Sequence, residues 1–149
     1  MKKFFSGIYN IIAPWRNEKR KLNKILKLYH RSSNNICKEL YLYIIYKKTH
    51  CCFSNGFTFS DGITFPHPTG IVIGAGVKFG KNVTIYQNVT LGRKNKDISE
   101  YPVIGDNVVI YCNSVIIGNV KIGNNAVIGC NSVVLRDVKD GEVVSGIVK

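Results

Sequence analysis

From residue 73 onward an apolar side chain returns every six positions: Ile73, Phe79, Ile85 and Leu91, then, after an interruption, Ile104, Ile110, Ile116, Ile122, Ile128 and Val134. With 45% of the chain hydrophobic, ten preset positions would all be apolar by chance roughly 3 times in 10,000 before any choice of register. The neighbouring columns repeat too. Glycine follows the apolar position at Gly74, Gly80, Gly92, Gly105, Gly123 and Gly129. Asparagine lies three positions after it at Asn82, Asn88, Asn107, Asn113, Asn119, Asn125 and Asn131. A small or β-branched residue lies four after, as in Val77, Val83, Val89, Val108, Ser114, Val120, Ala126 and Ser132.

A period of six does not fit a helix of 3.6 residues per turn, and Gly at each unit would cost a helix roughly 1 kcal/mol. It does fit a short extended stretch followed by a corner, where Asn or Gly tolerates left-handed backbone angles at least cost. Three units make a triangular coil of 18 residues, and stacked coils bury the Ile and Val column. The pattern predicts a mainly β fold of about five coils beginning near Asn55. It breaks between Leu91 and Ile104, which are 13 residues apart where two repeats would give 12. The polar stretch there predicts a loop at 93–103, the first place to look for function.

The first part of the chain follows a different rule. Leu22, Ile25, Leu26 and Tyr29 fall at i, i+3, i+4 and i+7 among Lys and Arg, predicting an amphipathic basic helix over 18–30. Ser32-Ser33-Asn34-Asn35 breaks it. Asn34 or Asn35 can cap a second helix with Cys37, Leu40, Tyr41, Ile44 and Ile45 on one face, ending near Lys47-Lys48. The chain thus divides into a basic helical region, 1–52, and a coil domain, 53–149, with the helices expected to cover the first coil.

Charge sharpens this division. Of the net +12, residues 1–50 hold 12 of the 21 Lys and Arg but only Glu18 and Glu39, a local net of +10. Such a face suits anionic lipid or an acidic polymer, or is simply a solvated helix face. No recognition motif accompanies it, so nucleic acid is not expected. The longest apolar run, Leu40 to Tyr46, is far short of the ~20 residues that span a bilayer. The Met1-Lys2-Lys3 start leads to no small-residue cleavage site, so no export signal is read. Five cysteines without a C-x-x-C pair suggest neither a disulfide framework nor a zinc site. These features together predict a cytoplasmic location, with peripheral contact at the inner face of the membrane as the reading of the basic region.

Three motifs are more specific: His67-Pro68-Thr69-Gly70-Ile71-Val72-Ile73-Gly74, Ile85-Tyr86-Gln87-Asn88-Val89-Thr90-Leu91-Gly92, and, after the loop, Pro102-Val103-Ile104-Gly105. With the repeat they resemble the hexapeptide-repeat acyltransferases, and within that family the serine O-acetyltransferases and the sugar O-acetyltransferases of surface-polysaccharide clusters. The resemblance runs from about Phe59 to Val138. It implies a left-handed parallel β-helix, a homotrimer with active sites between subunits, and acetyl-CoA as donor. The chain departs from the serine enzymes at three places. Pro66 and Cys52 stand where those enzymes have carboxylates beside and behind the catalytic histidine. Glu100-Tyr101-Pro102 stands for their Arg-His-Pro, and Gly146-Ile147-Val148-Lys149 for their Pro-Ala-Arg-like tail.

His67, the one histidine of the repeat region, lies six residues before Ile73, at a position the period makes inward. A neutral imidazole can take a hydroxyl proton as that hydroxyl attacks a thioester; a hydrogen-bonded histidine at a coil edge is the other reading, and the resemblance favours the base. Asp61, Glu100 or a backbone carbonyl could orient it. Cys112 and Cys130 lie one coil apart; the resemblance sets them with Gly92, Tyr111 and Gly129 along the pantetheine groove of CoA. A nucleophilic thiol is the alternative, though no histidine adjoins either cysteine. Arg136 and Lys139 could meet CoA phosphates or be plain surface charges. Gln87, Asn88, Arg93 and Tyr101 are the candidate acceptor-binding residues. Because Tyr101 could stack on a pyranose where the Arg-His pair is lost, a sugar hydroxyl of a surface polysaccharide or its precursor is the expected acceptor. Serine O-acetylation is the alternative, and a non-catalytic scaffold a second one. A metal is not expected, since an interfacial zinc site would need three histidines.

Overall fold

The computed structural model describes residues 14–58, 62–95 and 100–149, with side chains from residue 22 onward; Asp61 and loop residues 96–99 fall outside this set. Among the described residues thirteen short strands wind into a three-faced parallel coil. The first face stacks β1 (Cys52–Phe53), β2 (Val72–Ile73), β5 (Thr90–Gly92), β8 (Val115–Ile117), β11 (Val133–Val134) and β13 (Ile147–Val148). The second stacks β3 (Lys78–Phe79), β6 (Val103–Ile104) and β9 (Lys121–Ile122). The third stacks β4 (Thr84–Ile85), β7 (Val109–Ile110), β10 (Val127–Ile128) and β12 (Val143–Val144). The coil starts at Cys52, slightly before the expected Asn55.

All ten repeating apolar residues point inward and are buried, as are Val77, Val83, Val89, Val108, Ser114, Val120, Ala126 and Ser132 at the bends. Two-residue strands cannot hold a sheet by themselves. What fixes them is register, since each strand pairs in parallel with its counterpart one coil away, as in Val109 with Val127 and Thr90 with Val115.

The corners carry their own ladder. Asn82, Asn88, Asn107, Asn113, Asn125 and Asn131 adopt left-handed angles with φ of 56–59°. Their amides bond up the coil: Asn82 Nδ2 donates to Asn107 Oδ1 (3.1 Å) and Asn107 Nδ2 to Asn125 Oδ1 (3.2 Å). At another corner Asn88 donates to Asn113 and Asn113 to Asn131, both at 3.1 Å. The expected seventh member, Asn119, is not left-handed; Gly118 takes the turn with φ 94°. Beside this ladder runs a second one, in which Asp106, Asn124 and Asp140 each accept a backbone N–H from the coil before, at 2.7–2.8 Å.

Two antiparallel helices close the N-terminal end: α1 (Pro14–Arg31) and α2 (Asn35–Thr49). Asn34 is the cap of α2, its Oδ1 accepting from Ile36 N at 2.8 Å and Cys37 N at 3.4 Å. Leu22, Leu26 and Tyr29 of α1 are buried as the period predicted. For α2 the expected face is corrected: Leu42, Ile45 and Thr49 are buried, whereas Cys37 and Leu40 face solvent. It is α1 that meets an aromatic plug at the start of the coil. Tyr29 stacks on Phe57 at 5.4 Å, and Phe53 meets Phe57 and Phe65 at 5.6 and 5.7 Å. The Tyr29 hydroxyl donates to Asn55 Oδ1 (2.9 Å) and accepts from Gly56 N (3.1 Å), while Asn55 Nδ2 donates to Glu39 (3.0 Å).

Asn113 bonds the coils on both sides of it, so Asn113→Ala should cost about 1–3 kcal/mol in denaturant unfolding through the lost bonds and the strained angle. Asn113→Gly, which relieves the angle, should cost less. Burial pushes the Cys51 thiol pKa up, so brief alkylation of the native protein near neutral pH should label Cys37, Cys52 and Cys130, all exposed, and leave buried Cys51 unmodified by mass spectrometry.

Candidate active site

The register numbers locate two insertions in the 18-residue coil, while the last coil is shorter, Val127 pairing with Val143 and Val133 with Ile147. Pairing of Cys52 with Val72 and of Thr64 with Thr84 makes the first coil 20 residues long. Because six residues separate Thr58 from Thr64 but eight separate Thr64 from Val72, both extra residues lie at the corner between the third and first faces. That corner is Phe65-Pro66-His67-Pro68-Thr69-Gly70-Ile71. Phe65, Pro68 and Ile71 are buried and His67 is exposed. The inward position expected for His67 is therefore corrected: the six-step count fails across the insertion, and Phe65 and Ile71 fill the core. Flanking prolines fix two φ angles of the bulge. Thr69 N–H closes it on the His67 carbonyl at 2.9 Å. Gly70, at φ 64°, ends it, and a side chain there would run into the Asn88 amide.

Below His67 the same corner forms an aromatic column. The His67 and Tyr86 rings lie 6.2 Å apart, and Tyr86 stacks on Tyr111 at 5.0 Å and 21°. Cys112, half-buried, and exposed Cys130 sit on the next positions of successive coils, tied by the bond from Asn131 N to the Cys112 carbonyl at 3.0 Å. The Gly129 carbonyl behind them accepts from Ser114 Oγ (2.8 Å) and Ser132 Oγ (2.6 Å). Gln87 is in this column too, with its Oε1 buried and unpartnered, an acceptor available to a bound molecule. Asn88 belongs to the ladder, so its amide is engaged by Asn113.

The second departure is the loop. Thr90 pairs with Val115, and Lys78 with Val103, in a 25-residue coil, seven longer than the period. Leu91 and Ile104 are thus one repeat apart with seven residues inserted, not two repeats with one extra; the loop ends at Pro102, since Val103 is in β6. Gly92 and Arg93 leave from the corner between the first and second faces. Among the described residues no atom lies within 4 Å of where a Gly92 side chain would be. Tyr101 returns the loop to the coil by packing its ring over Gly74 and Gly76, which leave room for nothing larger than hydrogen. Its ring is a partly buried anchor.

The candidate residues therefore fall into two groups on one chain. His67, Gln87, Asn88, Tyr111, Cys112, Gly129 and Cys130 share one corner, while Gly92, Arg93 and Tyr101 share the next, across the first face, whose three-residue strands span about 10 Å. Arg136 follows β11 at the same corner as the loop, two coils beyond Gly92, and is ion-paired with Glu142 at 3.0 Å while donating to the Asp137 carbonyl at 2.6 Å. A groove of about 430 Å³ on the second face, lined by Val103, Lys121, Asn124, Asp137 and Asp140 among others, holds Lys139 but neither group of candidate residues. Among the described residues no group of three His, Cys, Asp or Glu could hold a metal ion. Tyr86 was missed by sequence reasoning; its spacing of 25 from Tyr111, one coil plus the loop insertion, is the signal that finds it.

Comparison with known proteins agrees with this geometry. Residues 101–136 match the family described as bacterial transferase hexapeptide (six repeats). Among solved structures, soybean serine acetyltransferase apoenzyme is 35% identical with a TM-score of 0.73, covering 80% of this chain and 50% of that one. Neisseria gonorrhoeae serine acetyltransferase in complex with serine is 27% identical at TM-score 0.76, covering 85% and 53%. A serine acetyltransferase in complex with CoA is 30% identical at TM-score 0.71, covering 84% and 53%. No curated protein matches the chain. Repeat and coil are similar to those of the hexapeptide-repeat, left-handed β-helix acyltransferases. Within that class the matched structures are serine acetyltransferases, and the chain spans about half their length.

The Arg136 hydrogen bond holds the Glu142 carboxyl below its usual range, with the Lys139 N–H adding to the effect. A carboxylate whose folded pKa is depressed stabilises the fold above its unfolded pKa and loses that contribution as pH falls through the folded value. Glu142→Gln should therefore lower Tm slightly at neutral pH and flatten its decline below about pH 4, as read by thermal melts across pH.

Proposed function

We propose that the chain is an acetyl-CoA-dependent O-acetyltransferase in which His67 is the general base. The observation that carries this is the two-residue insertion that lifts one histidine out of the coil at a corner. A stable coil gains nothing from a bulge between two prolines, and the insertion sets an imidazole on the surface at the head of the aromatic column. In this reading the acceptor hydroxyl meets His67, which takes its proton as the oxygen attacks the thioester carbonyl. The tetrahedral oxyanion is met by backbone amide near Gly92. CoA leaves as the thiol, accepting the proton from the imidazolium. The pantetheine arm runs along Tyr111, Cys112, Gly129 and Cys130. The CoA complex of a matched structure supports this donor.

The two halves of the site lie at different corners of one chain. We infer a homotrimer in which the loop of one subunit faces His67 of the next, and light scattering should give three times the 16.7 kDa of the chain.

For the acceptor, the matched structures favour L-serine over the sugar expected from the loop sequence, one of them having been solved with serine bound. Tyr101, half-buried with its ring over Gly74 and Gly76, is also less free to stack on a pyranose than its position in the sequence suggests. The sugar reading keeps one observation in its favour: Pro66, Cys52 and Glu100-Tyr101 occupy positions where the resemblance puts the carboxylates and the Arg-His pair of the serine enzymes.

CoA release with L-serine, against a panel of nucleotide sugars and oligosaccharides, decides between them. Turnover with serine alone is expected; turnover with saccharides alone would replace the acceptor and keep the chemistry. His67→Ala should lose about 100- to 10,000-fold in kcat with CoA affinity and Tm nearly unchanged. Retention of more than about a tenth of the rate would remove His67 as base.

A further inference from the structure

Helix α2 is apolar on two opposite faces, and only one of them is covered. At 100° per residue Leu42, Ile45 and Thr49 cluster on the side packed against α1 and the coil. On the other side Ile36, Leu40 and Tyr43 are 80%, 55% and 58% exposed, and Tyr46, 51% exposed, lies on the flank between the two faces. Lys47 falls on this outer stripe, with Lys48 beside it and His50 just past the helix end, all exposed. A helix apolar all round ordinarily has both faces buried.

We propose that this outer face of α2 docks on anionic lipid bilayers. The composition favours that occupant over a second copy of the chain. Residues 1–50 carry a net of +10, so two copies meeting here would repel, whereas a negatively charged surface attracts them. The layout is that of an interfacial helix: aliphatic Ile36 and Leu40, tyrosines whose hydroxyls reach the headgroup level, and lysines at the end. Lys24, Lys27, His30 and Arg31 of α1 are exposed nearby in the same helical pair. Glu39, an acid near the stripe, is hydrogen-bonded to Asn55. No described helix is long and apolar enough to cross a membrane, so the contact is one of lying on the surface.

Co-sedimentation of the full chain with vesicles tests this, comparing phosphatidylcholine alone with phosphatidylcholine containing phosphatidylglycerol. Binding is expected to the anionic vesicles only, and to fall at least about tenfold when salt is raised to about 0.5 M, where screening shortens to a few Å. The double variant Leu40→Glu/Tyr43→Glu should lose binding to a similar extent while keeping its Tm, its mass in light scattering and its turnover in the absence of vesicles. Lys47→Glu/Lys48→Glu, which leaves the apolar stripe intact, should weaken binding as well and guards against a folding defect in the first variant. Equal binding to neutral vesicles, or no binding, overturns the proposal. So does a fall in oligomeric mass on Leu40→Glu/Tyr43→Glu, which would assign the stripe to a second copy, or a large fall in its Tm, which would assign it to the chain's own packing.

Discussion

Everything in this molecule depends on parallel, in-register pairing between successive coils. Strands of two or three residues have too few contacts to persist alone, and each is held only because its counterpart lies directly above or below it. The inward Ile and Val column supplies the apolar burial, while the asparagine amides and the Asp106–Asn124–Asp140 series supply directional bonds that forbid slippage. A slip by one residue would turn every inward side chain outward. The ladders make that slip cost several hydrogen bonds at once.

This architecture separates packing from chemistry. Side chains on the faces must be apolar inward and short where the chain bends, so they are not free to vary. Corners have no such duty beyond adopting a left-handed angle. His67, Tyr86, Tyr111 and the loop all sit at corners, and the register of the faces on either side of each insertion is undisturbed. The helical pair closes the N-terminal end of the coil by stacking Tyr29 on the aromatic plug and tying its hydroxyl to Asn55.

Much of this was legible in the sequence because a coil writes its period directly into the chain. The inward column, the asparagine corners and the first helix were read from spacing alone. What counting could not follow was an insertion, since residues added at a corner shift the phase without leaving a hydrophobic mark. That is why His67 was expected inward, and why the gap from Leu91 to Ile104 was read as two repeats plus one residue rather than one plus seven. The second helix was found but its buried face was placed too far round, on Cys37, Leu40, Tyr41, Ile44 and Ile45, because apolar residues lie on both sides of it and composition could not say which side the coil would take. Of the site, His67 and the loop carried motifs. The stacking of Tyr86 on Tyr111 depends on a 25-residue step that only the finished register reveals.

The bulge at His67 bears on how such proteins vary. A coil whose faces ignore the number of residues in its corners can gain or lose reach there without renegotiating its core. Two extra residues lift an imidazole, seven extend a loop, and neither alters which atoms meet inside. Lineages built on this plan are then expected to differ from one another mainly in contour length at a few vertices, with length changes between coils falling there and substitutions tolerated least on the flats between them.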